Sequence, residues 1–290
     1  MTQARIQPGR SAIAWAAAAC LVVCALLVGV VAWPRGGEEG LIVFAGSASR
    51  PVTERVAALF EQETGVPVRT HFGGSGRVLA QLRLSGRGDV YFPGSGDYLE
   101  KARALGLVEA GTTRTVAYLV PAVIVAKGNP HGIRRLADLS RPGLRVAIAD
   151  PHSVCVGLYA VELLEHNGLA EAVKPNIVTY APSCEHTANL VALHAVDASL
   201  GWRVLARWSS DRVEAIMPEP HEIPRLGYLA AAVTTASRRP ELAQRFVDFL
   251  ASSQVDRMFA EAGYLAGRQE ALSLAPGARL GGGYELSEGW

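Results

Sequence analysis

Two short loops rich in glycine and serine constrain the fold of this chain most. Each is expected to connect the end of a strand to the start of a helix. Residues 44–49 (FAGSAS) and 72–76 (FGGSG) each end an apolar run typical of a buried strand. Phe44 and Phe72 are 28 positions apart, close to the length of one βαβ unit of about 30 residues. Because consecutive parallel strands open their following loops at one sheet edge, the spacing predicts an α/β fold with the loops side by side.

The composition of both loops favours a small polar ligand. Backbone N–H groups at the start of a helix bind anions, and serine hydroxyls add uncharged donors. A single loop of this kind needs no ligand to explain it, because its glycines would simply allow a tight turn between strand and helix. Two loops one βαβ unit apart favour binding of an anion. The candidates are Ser47, Ser49, Gly74, Ser75 and Gly76.

Overall composition excludes several classes of function. The chain has 290 residues, of which 49% are hydrophobic and 19% charged, and its net charge is +1. This is enough material for one large or two medium globular domains. A charge so near zero gives no support for nucleic-acid binding, and no zinc-finger spacing, P-loop or dinucleotide fingerprint occurs. The sequence therefore predicts no nucleic-acid partner and no cofactor.

The beginning of the chain has the pattern of a membrane segment. Residues 11–34 contain no charged side chain, with Trp15 and Trp33 near the ends. About 20 apolar residues suffice to span a bilayer, and aromatic residues favour its interfaces. Basic residues precede the segment, which places residues 1–10 in the cytoplasm. We expect an uncleaved anchor followed by a linker at residues 35–40, with a cleaved signal peptide as the alternative.

Export of the main domain changes how its two cysteines are interpreted. In an oxidising compartment, Cys155 and Cys184 are by default candidates for a disulfide. The alternative is a thiolate site for a soft metal or thiophilic oxyanion, with His186 beside Cys184 as a further ligand. A catalytic set of Cys155, His186 and Asp150 is available in the sequence, but such residues in helix-start loops are mostly structural. We therefore expect no enzyme.

Strand and helix patterns alternate along the rest of the chain. They predict a first doubly wound α/β lobe over residues 41–117 and a second over residues 118–224. The second lobe is expected to begin with one long strand over residues 118–126. Residues 225–265 are expected to return to the first lobe. The final segment, residues 266–290, is rich in glycine and predicts a loosely structured tail.

Five segments occur in a specific order and together resemble a known family. They are residues 41–49 (LIVFAGSAS), 72–76 (FGGSG), 88–92 (GDVYF), 150–157 (DPHSVCVG) and 254–264 (QVDRMFAEAGY). The chain is similar over residues 41–265 to the molybdate/tungstate-type periplasmic solute-binding proteins of ABC importers. The resemblance implies a type II periplasmic-binding-protein fold, in which two α/β lobes joined by two crossovers close on a ligand between them.

The resemblance also implies which residues hold the ligand. In that family, uncharged donors from the serine loops of lobe 1 and helix-start loops of lobe 2 bind the oxyanion. The positions implied here are Ser47 or Ser49, Gly74, Ser75, Gly76, Cys155, Val156, Cys184, His186 and Thr187. Two positions depart from the pattern: relatives commonly carry proline where Cys155 stands, and a tyrosine donor aligns with Val204. These departures leave oxyanion binding intact but weaken the case for molybdate as the particular ligand.

The sequence thus predicts a monomeric, extracytoplasmic solute-binding protein on the outer face of the cytoplasmic membrane. It would capture a small oxyanion such as molybdate or tungstate and deliver it to an ABC permease. The alternative is a membrane-anchored sensor or binding protein for a thiophilic metal or metalloid, held by Cys155, Cys184 and His186.

Overall fold

Two β-sheets organise residues 40–290, the part of the chain that the computed structural model describes. The first sheet contains β1 (Leu41–Gly46), β2 (Val68–Gly73), β3 (Val90–Phe92), β4 (Arg114–Leu119), β10 (Arg225–Val233) and β11 (Arg279–Leu280). The second contains β5 (Pro121–Ala126), β6 (Val146–Ala149), β7 (Ile177–Ala181), β8 (Ala198–Trp202) and β9 (Val213–Ile216). We call the first sheet with its helices lobe 1 and the second sheet with its helices lobe 2.

Helices connect the strands and pack against both sheets. In chain order they are α1 (Arg50–Thr64), α2 (Ser75–Ser85), α3 (Gly96–Ala104), α4 (Cys155–His166), α5 (Ala170–Val173), α6 (Cys184–Ala192), α7 (Leu205–Trp208), α8 (Pro240–Leu250), α9 (Ser253–Glu261) and α10 (Arg268–Leu274). Helices α1 to α3 and α8 to α10 contact elements of lobe 1, whereas α4 to α7 contact elements of lobe 2. The predicted α/β architecture with two sheets is confirmed.

The parallel strands that begin lobe 1 confirm the βαβ spacing of the sequence. β1 pairs in parallel with β2, with Gly46 opposite Gly73 at its end, and with β3 on its other side. Helix α1 joins β1 to β2 and ends at Gly65, whose φ of 72° lies in the left-handed region that favours glycine. Because the strands run in the same direction, the loops that follow β1, β2 and β3 open at one edge of the sheet.

The chain passes from lobe 1 to lobe 2 at Val120, which separates β4 from β5. β4 pairs with β10 in the first sheet, whereas β5 pairs with β8 and β9 in the second. The prediction of one strand over residues 118–126 is therefore wrong. Pro121 has no N–H to donate to a neighbouring strand, so it is tolerated at the first position of a strand. A proline here therefore suits the point where hydrogen bonding to one sheet stops and hydrogen bonding to the other begins.

Lobe 2 repeats the arrangement of parallel strands. The order of its strands is β7-β6-β8-β5-β9, and β6 runs parallel to both β7 and β8. Strands β5 to β9 lie within the predicted range 118–224, although Tyr118 and Leu119 belong to β4. The loops after β6 and β7 therefore open at one edge of this sheet, as the Gly/Ser loops do in lobe 1.

The final segment is more ordered than its composition indicates. Residues 266–290 contain α10 and β11, and β11 pairs in parallel with β10. Tyr284, Ser287 and Trp290 all donate hydrogen bonds to the carboxylate of Glu165 on α4. The expectation of a loosely structured tail is wrong, because aromatic and hydroxyl side chains between the glycines attach it to lobe 2.

The first 39 residues lie outside the described part of the chain. The predictions of a cytoplasmic start at residues 1–10, an anchor at residues 11–34 and a linker up to the domain therefore remain predictions. Among the described residues, 40–290, no helix combines the length and apolar character needed to cross a bilayer.

One apolar core runs through both lobes. Phe92 and Tyr98 of lobe 1 belong to the same cluster as Cys155, Tyr159 and Trp202 of lobe 2. Each of these side chains is at most 2% exposed. The lobes therefore pack directly against each other.

Candidate functional site

Three loops at the ends of β1, β2 and β3 form the lobe 1 side of the site. They carry Ser47, Ser75 and Ser95, each at most 1% exposed. The amide of Gly94 donates a hydrogen bond to Ser75 Oγ at 3.0 Å, and a Cβ on Gly46 would lie 2.2 Å from the amide nitrogen of Gly94. The structure thus brings the two expected Gly/Ser loops together and adds a third.

The third loop, residues 93–96, was missed from the sequence. It follows β3 with the same order of elements as the other two: an apolar strand, glycine and serine, then a helix. Ser95 Oγ donates to Asp97 Oδ2 at 2.8 Å, which holds the hydroxyl at the start of α3. The strand before it was expected from the sequence, and the PGSG pattern that follows was available as a signal.

Two cysteines form the lobe 2 side of the site. Cys155 begins α4 and Cys184 begins α6, after the adjacent parallel strands β6 and β7. Their Sγ atoms are 3.3 Å apart and both residues are at most 1% exposed. Within residues 40–290 both are free thiols, since a disulfide requires about 2.05 Å between the sulfurs. The disulfide therefore remains a prediction about the oxidised protein.

The surroundings of the two thiols make them chemically unequal. Burial opposes ionisation of Cys155, but hydrogen bonds from the side chains of Cys184, Ser75 and Ser95 together hold the pKa of Cys155 below its usual value. Burial raises the pKa of Cys184 well above its usual value, and so does its hydrogen bond to Cys155. Of the two thiols, Cys155 is therefore the one that ionises first as the pH rises.

Several buried side-chain donors at the interface have no partner among the described residues, and two of them lie in the serine loops or beside the cysteines. Among the described residues, no acceptor satisfies the Ser47 hydroxyl, and none meets Trp202 Nε1 with hydrogen-bond geometry. The Trp202 indole lies beside the Cys184 sulfur, where it partly offsets the rise in the pKa of that thiol. An unsatisfied buried donor costs about 1–3 kcal/mol, so two at one interface are a place where a ligand would supply acceptors.

A buried ion cluster joins the two lobes beside the site. Arg225, at the start of β10 and about 1% exposed, pairs with Asp97 of lobe 1 and Glu162 of lobe 2. Its guanidinium also lies over the ring of Tyr159, 3.8 Å from the centroid. Burial opposes the charge, yet Tyr159 and the two carboxylates raise the pKa of Arg225. This cation is therefore already compensated and does not provide a free positive charge for a ligand.

Gly74 and Gly76 lie where the two lobes approach each other most closely. The amide of Gly76 donates across the interface to the carbonyl of Ser153 at 2.8 Å, and a Cβ on Gly76 would lie 2.9 Å from that oxygen. A Cβ on Gly74 would lie 2.9 Å from the carbonyl oxygen of Pro182. Both glycines let the lobes approach each other closely.

The remaining predicted ligand residues differ in what their polar groups contact. The backbone N–H of Val156 is directed at the Cys184 sulfur, which opposes the rise in the pKa of that thiol. Ser49 Oγ is already engaged, because it donates to Gly46 O at 3.2 Å and accepts from Thr53 Oγ1 at 2.9 Å. Thr187 Oγ1 likewise donates to a backbone oxygen of its own helix, at 2.7 Å. Val156 therefore supports the thiol pair, whereas Ser49 and Thr187 support their own loops.

His186 does not join the cysteines. Its Nδ1 shares a hydrogen bond with Ser183 Oγ at 2.9 Å. Among the described residues, no group of three or more His, Cys, Asp or Glu side chains is arranged to hold a metal ion. The structure therefore does not bring together the three residues of the alternative metal site, Cys155, Cys184 and His186. Asp150 accepts from Ser153 Oγ at 2.6 Å, so it braces the loop before α4.

The family of the chain follows from a comparison with known proteins. Residues 41–265 match the family model of bacterial extracellular solute-binding proteins. The chain belongs to this family. Its members are solute-binding proteins of transporters, which confirms the resemblance to periplasmic binding proteins of ABC importers and the expectation of no enzyme.

Two relatives, each covered over most of its length, are named as binding proteins, one of them for molybdate. A Haemophilus influenzae protein named as a binding protein is 28% identical over 225 residues, covering 78% of this chain and 90% of that protein. The molybdate-binding protein ModA of Mycobacterium tuberculosis is 27% identical over 235 residues, covering 80% and 87%.

Solved structures show the same fold. The periplasmic molybdate-binding protein of Azotobacter vinelandii superposes with a TM-score of 0.68 at 22% identity, covering 78% of this chain and 98% of that one. The sulfate-binding protein SubI of Mycobacterium tuberculosis gives 0.68 at 20% identity, covering 83% and 93%. At such identities the likeness concerns the fold alone.

Proposed function

We propose that this solute-binding protein captures a compact oxyanion of the molybdate and tungstate type between its lobes and delivers it to an ABC permease. The observation that carries the proposal is the buried Ser47 hydroxyl, which has no partner among the described residues and lies in one of three Gly/Ser loops. Relatives named for molybdate and for sulfate make the oxyanion class the common element.

The electrostatics of the interface suit an anion held without a fixed cation. Helices α2, α3, α4 and α6 all begin at the edges where the loops meet. Each helix N-terminus carries about half a positive charge and unpaired N–H groups, which stabilise an anion. Because Arg225 is compensated by Asp97 and Glu162, discrimination rests on ligand size and the number of hydrogen bonds.

Entry of the ligand requires the lobes to separate. In this structure the interface is closed by the hydrogen bond from Gly76 to Ser153 and by the ion pair of Arg50 with Glu185, at 3.3 Å. A ligand that bridges both lobes favours the closed state by its differential affinity for it. The open form therefore takes up the ligand, and the closed form with its bound ligand docks on the permease.

The experiment is a calorimetric titration of the full-length protein with molybdate, tungstate, sulfate and phosphate. We expect molybdate or tungstate to bind with one site per chain and to stabilise the fold by about 2.7 kcal/mol at 100 times its Kd. Ser47→Ala is expected to weaken binding about tenfold, as loss of a hydrogen bond to a charged group does. Ser273→Ala, on the exposed side of α10, is the matched control. Absence of binding by all four anions would overturn the proposal.

The proposal includes attachment to the outer face of the cytoplasmic membrane through residues 11–34 and a monomeric state. Carbonate extraction of membranes, compared with a variant lacking residues 1–34, tests the attachment. Light scattering of the purified protein tests the monomer. Release of the full-length chain by carbonate would show that this segment does not anchor it.

A further inference from the structure

The two thiols are the part of the interface that oxyanion binding does not explain. Cys155 and Cys184 place two sulfurs 3.3 Å apart, facing the serine loops of lobe 1. Sulfur is a poor partner for a hard, fully oxidised anion but a strong ligand for soft centres. A pair of sulfurs in a buried interlobe site therefore points to a soft ligand.

We propose that Cys155 and Cys184 form a two-sulfur subsite that binds trivalent arsenic, supplied as its hydroxide, as a bis-thiolate between the lobes. The inference rests on the proposed function, because it places this ligand in the same interlobe site. The protein would then bind, besides oxyanions, the hydroxides of thiophilic metalloids.

The distance between the sulfurs discriminates among soft centres. With centre-to-sulfur bonds of about 2.3 Å, a linear arrangement would separate the sulfurs by about 4.6 Å and a tetrahedral one by about 3.8 Å. If a bound atom kept the sulfurs at their present 3.3 Å, the angle at that atom would be about 90°. Pyramidal trivalent arsenic, whose lone pair compresses its bond angles, fits this spacing better than linear or tetrahedral metal ions.

The binding reaction balances without an oxidant or reductant. Arsenous acid, As(OH)₃, exchanges two of its hydroxyl groups for the sulfurs of the two thiols. Two As–S bonds form and two As–O bonds break, and each departing hydroxide leaves as water with the proton of one thiol. The oxidation state of arsenic stays at three, and one hydroxyl remains on it.

The surroundings of the sulfurs support this chemistry. Hydrogen bonds from Cys184, Ser75 and Ser95 lower the pKa of the Cys155 thiol, so Cys155 supplies the first thiolate. Trp202 Nε1 lies beside the Cys184 sulfur and meets no acceptor with hydrogen-bond geometry, so it is a donor available to the hydroxyl that stays on arsenic. Arsenous acid is uncharged at neutral pH, so it also suits a buried site that lacks a free cation.

The test uses the full-length chain, reduced with a phosphine that is then removed, under anaerobic conditions. The probe is sodium arsenite. Bound arsenic is measured by equilibrium dialysis with elemental analysis, and free thiols by Ellman titration of the native protein. We expect one arsenic per chain and protection of two thiols.

Two double variants separate this pair from the other cysteines of the chain. Cys155→Ser with Cys184→Ser is expected to lose the bound arsenic, at least tenfold in affinity. Cys20→Ser with Cys24→Ser is the matched control and is expected to retain it. The urea denaturation midpoint and the circular dichroism spectrum of each variant are measured in parallel, and values close to those of the unmodified protein show that the first variant still folds.

The outcomes distinguish this inference from the proposed function. If the protein binds an oxyanion but no arsenic, or if arsenic follows Cys20 and Cys24, the two-sulfur subsite is wrong and the proposed function stands. If arsenic binds through Cys155 and Cys184 while all oxyanions fail, the subsite stands and the proposed oxyanion function fails. A stoichiometry that needs both cysteine pairs would also overturn the subsite.

Discussion

Gly94 and Cys155 meet where the two lobes close. A Cβ on Gly94 would lie 2.9 Å from the Sγ of Cys155, closer than such atoms approach in folded proteins. The same Cβ would lie 3.2 Å from Ser75 Oγ. The missing side chain of Gly94 therefore determines how near the sulfur of lobe 2 comes to the serine of lobe 1.

This contact predicts the effect of Gly94→Ala. The added methyl group would force Cys155 away and hinder closure, at a cost of about 1–3 kcal/mol that is typical of overpacking. We expect ligand affinity to fall about tenfold or more in calorimetry. Gly277→Ala, where a Cβ has nothing within 4 Å, is the control. Equal affinity of the two variants would show that closure does not depend on this approach.

The buried ion cluster predicts a large loss of stability on Arg225→Ala. The substitution leaves Asp97 and Glu162 buried without their common partner, and breaking such a pair costs about 3–5 kcal/mol. Urea denaturation of the purified protein measures this difference. Arg212→Ala, which removes an arginine 61% exposed at its side chain, is expected to change stability by less than about 1 kcal/mol. A small effect of Arg225→Ala would mean that water or rearrangement compensates the carboxylates.

Asp197 predicts a dependence of stability on pH. Burial opposes its ionisation, but hydrogen bonds from the side chain and backbone of Arg145 together hold the pKa of Asp197 below its ordinary value. A lowered folded-state pKa stabilises the protein above the unfolded pKa, about 3.9, and this stabilisation is lost as pH falls through the folded value.

We therefore expect Asp197→Asn to lower the free energy of unfolding at pH 7 by about 1.5–3 kcal/mol, as loss of charged hydrogen bonds does. The difference from the unmodified protein should shrink below about pH 4. Urea denaturation across this range checks it, with Asp211→Asn, 78% exposed at its side chain, as the control. A difference that stays constant down to the lowest pH would contradict the mechanism.

Glu165 predicts how the tail is held. Burial opposes its ionisation, yet hydrogen bonds from Ser287, Tyr284 and Trp290 keep the pKa of Glu165 below its ordinary value. Glu165→Gln weakens all three, so we expect faster hydrogen exchange and proteolysis within residues 281–290. Glu171→Gln, at a side chain 88% exposed, is the matched control. Unchanged protection in Glu165→Gln would show that packing alone retains the tail.

Local patterns accounted for much of the fold. The strand, Gly/Ser loop and helix start around Ser47 and Ser75 form as expected, because side-chain periodicity and glycine act over a few residues. The break at Val120 was missed, since an apolar run of nine residues does not reveal which sheet each half will pair with. The strand β9 was also missed, because it is short and only partly buried.

The sequence by itself determined the two Gly/Ser loops, their spacing of one βαβ unit and the family. It also singled out Cys155 and Cys184 as the cysteines of the exported domain. Only the tertiary structure decided that the Gly94 and Ser95 loop completes the lobe 1 side, that the two sulfurs are 3.3 Å apart, and that His186 stands away from them. The physical reason is that strand order and lobe closure depend on contacts between residues distant in the chain. The loops met first in the sequence therefore form one wall of the candidate site, and the loops that carry the two cysteines form the opposite wall.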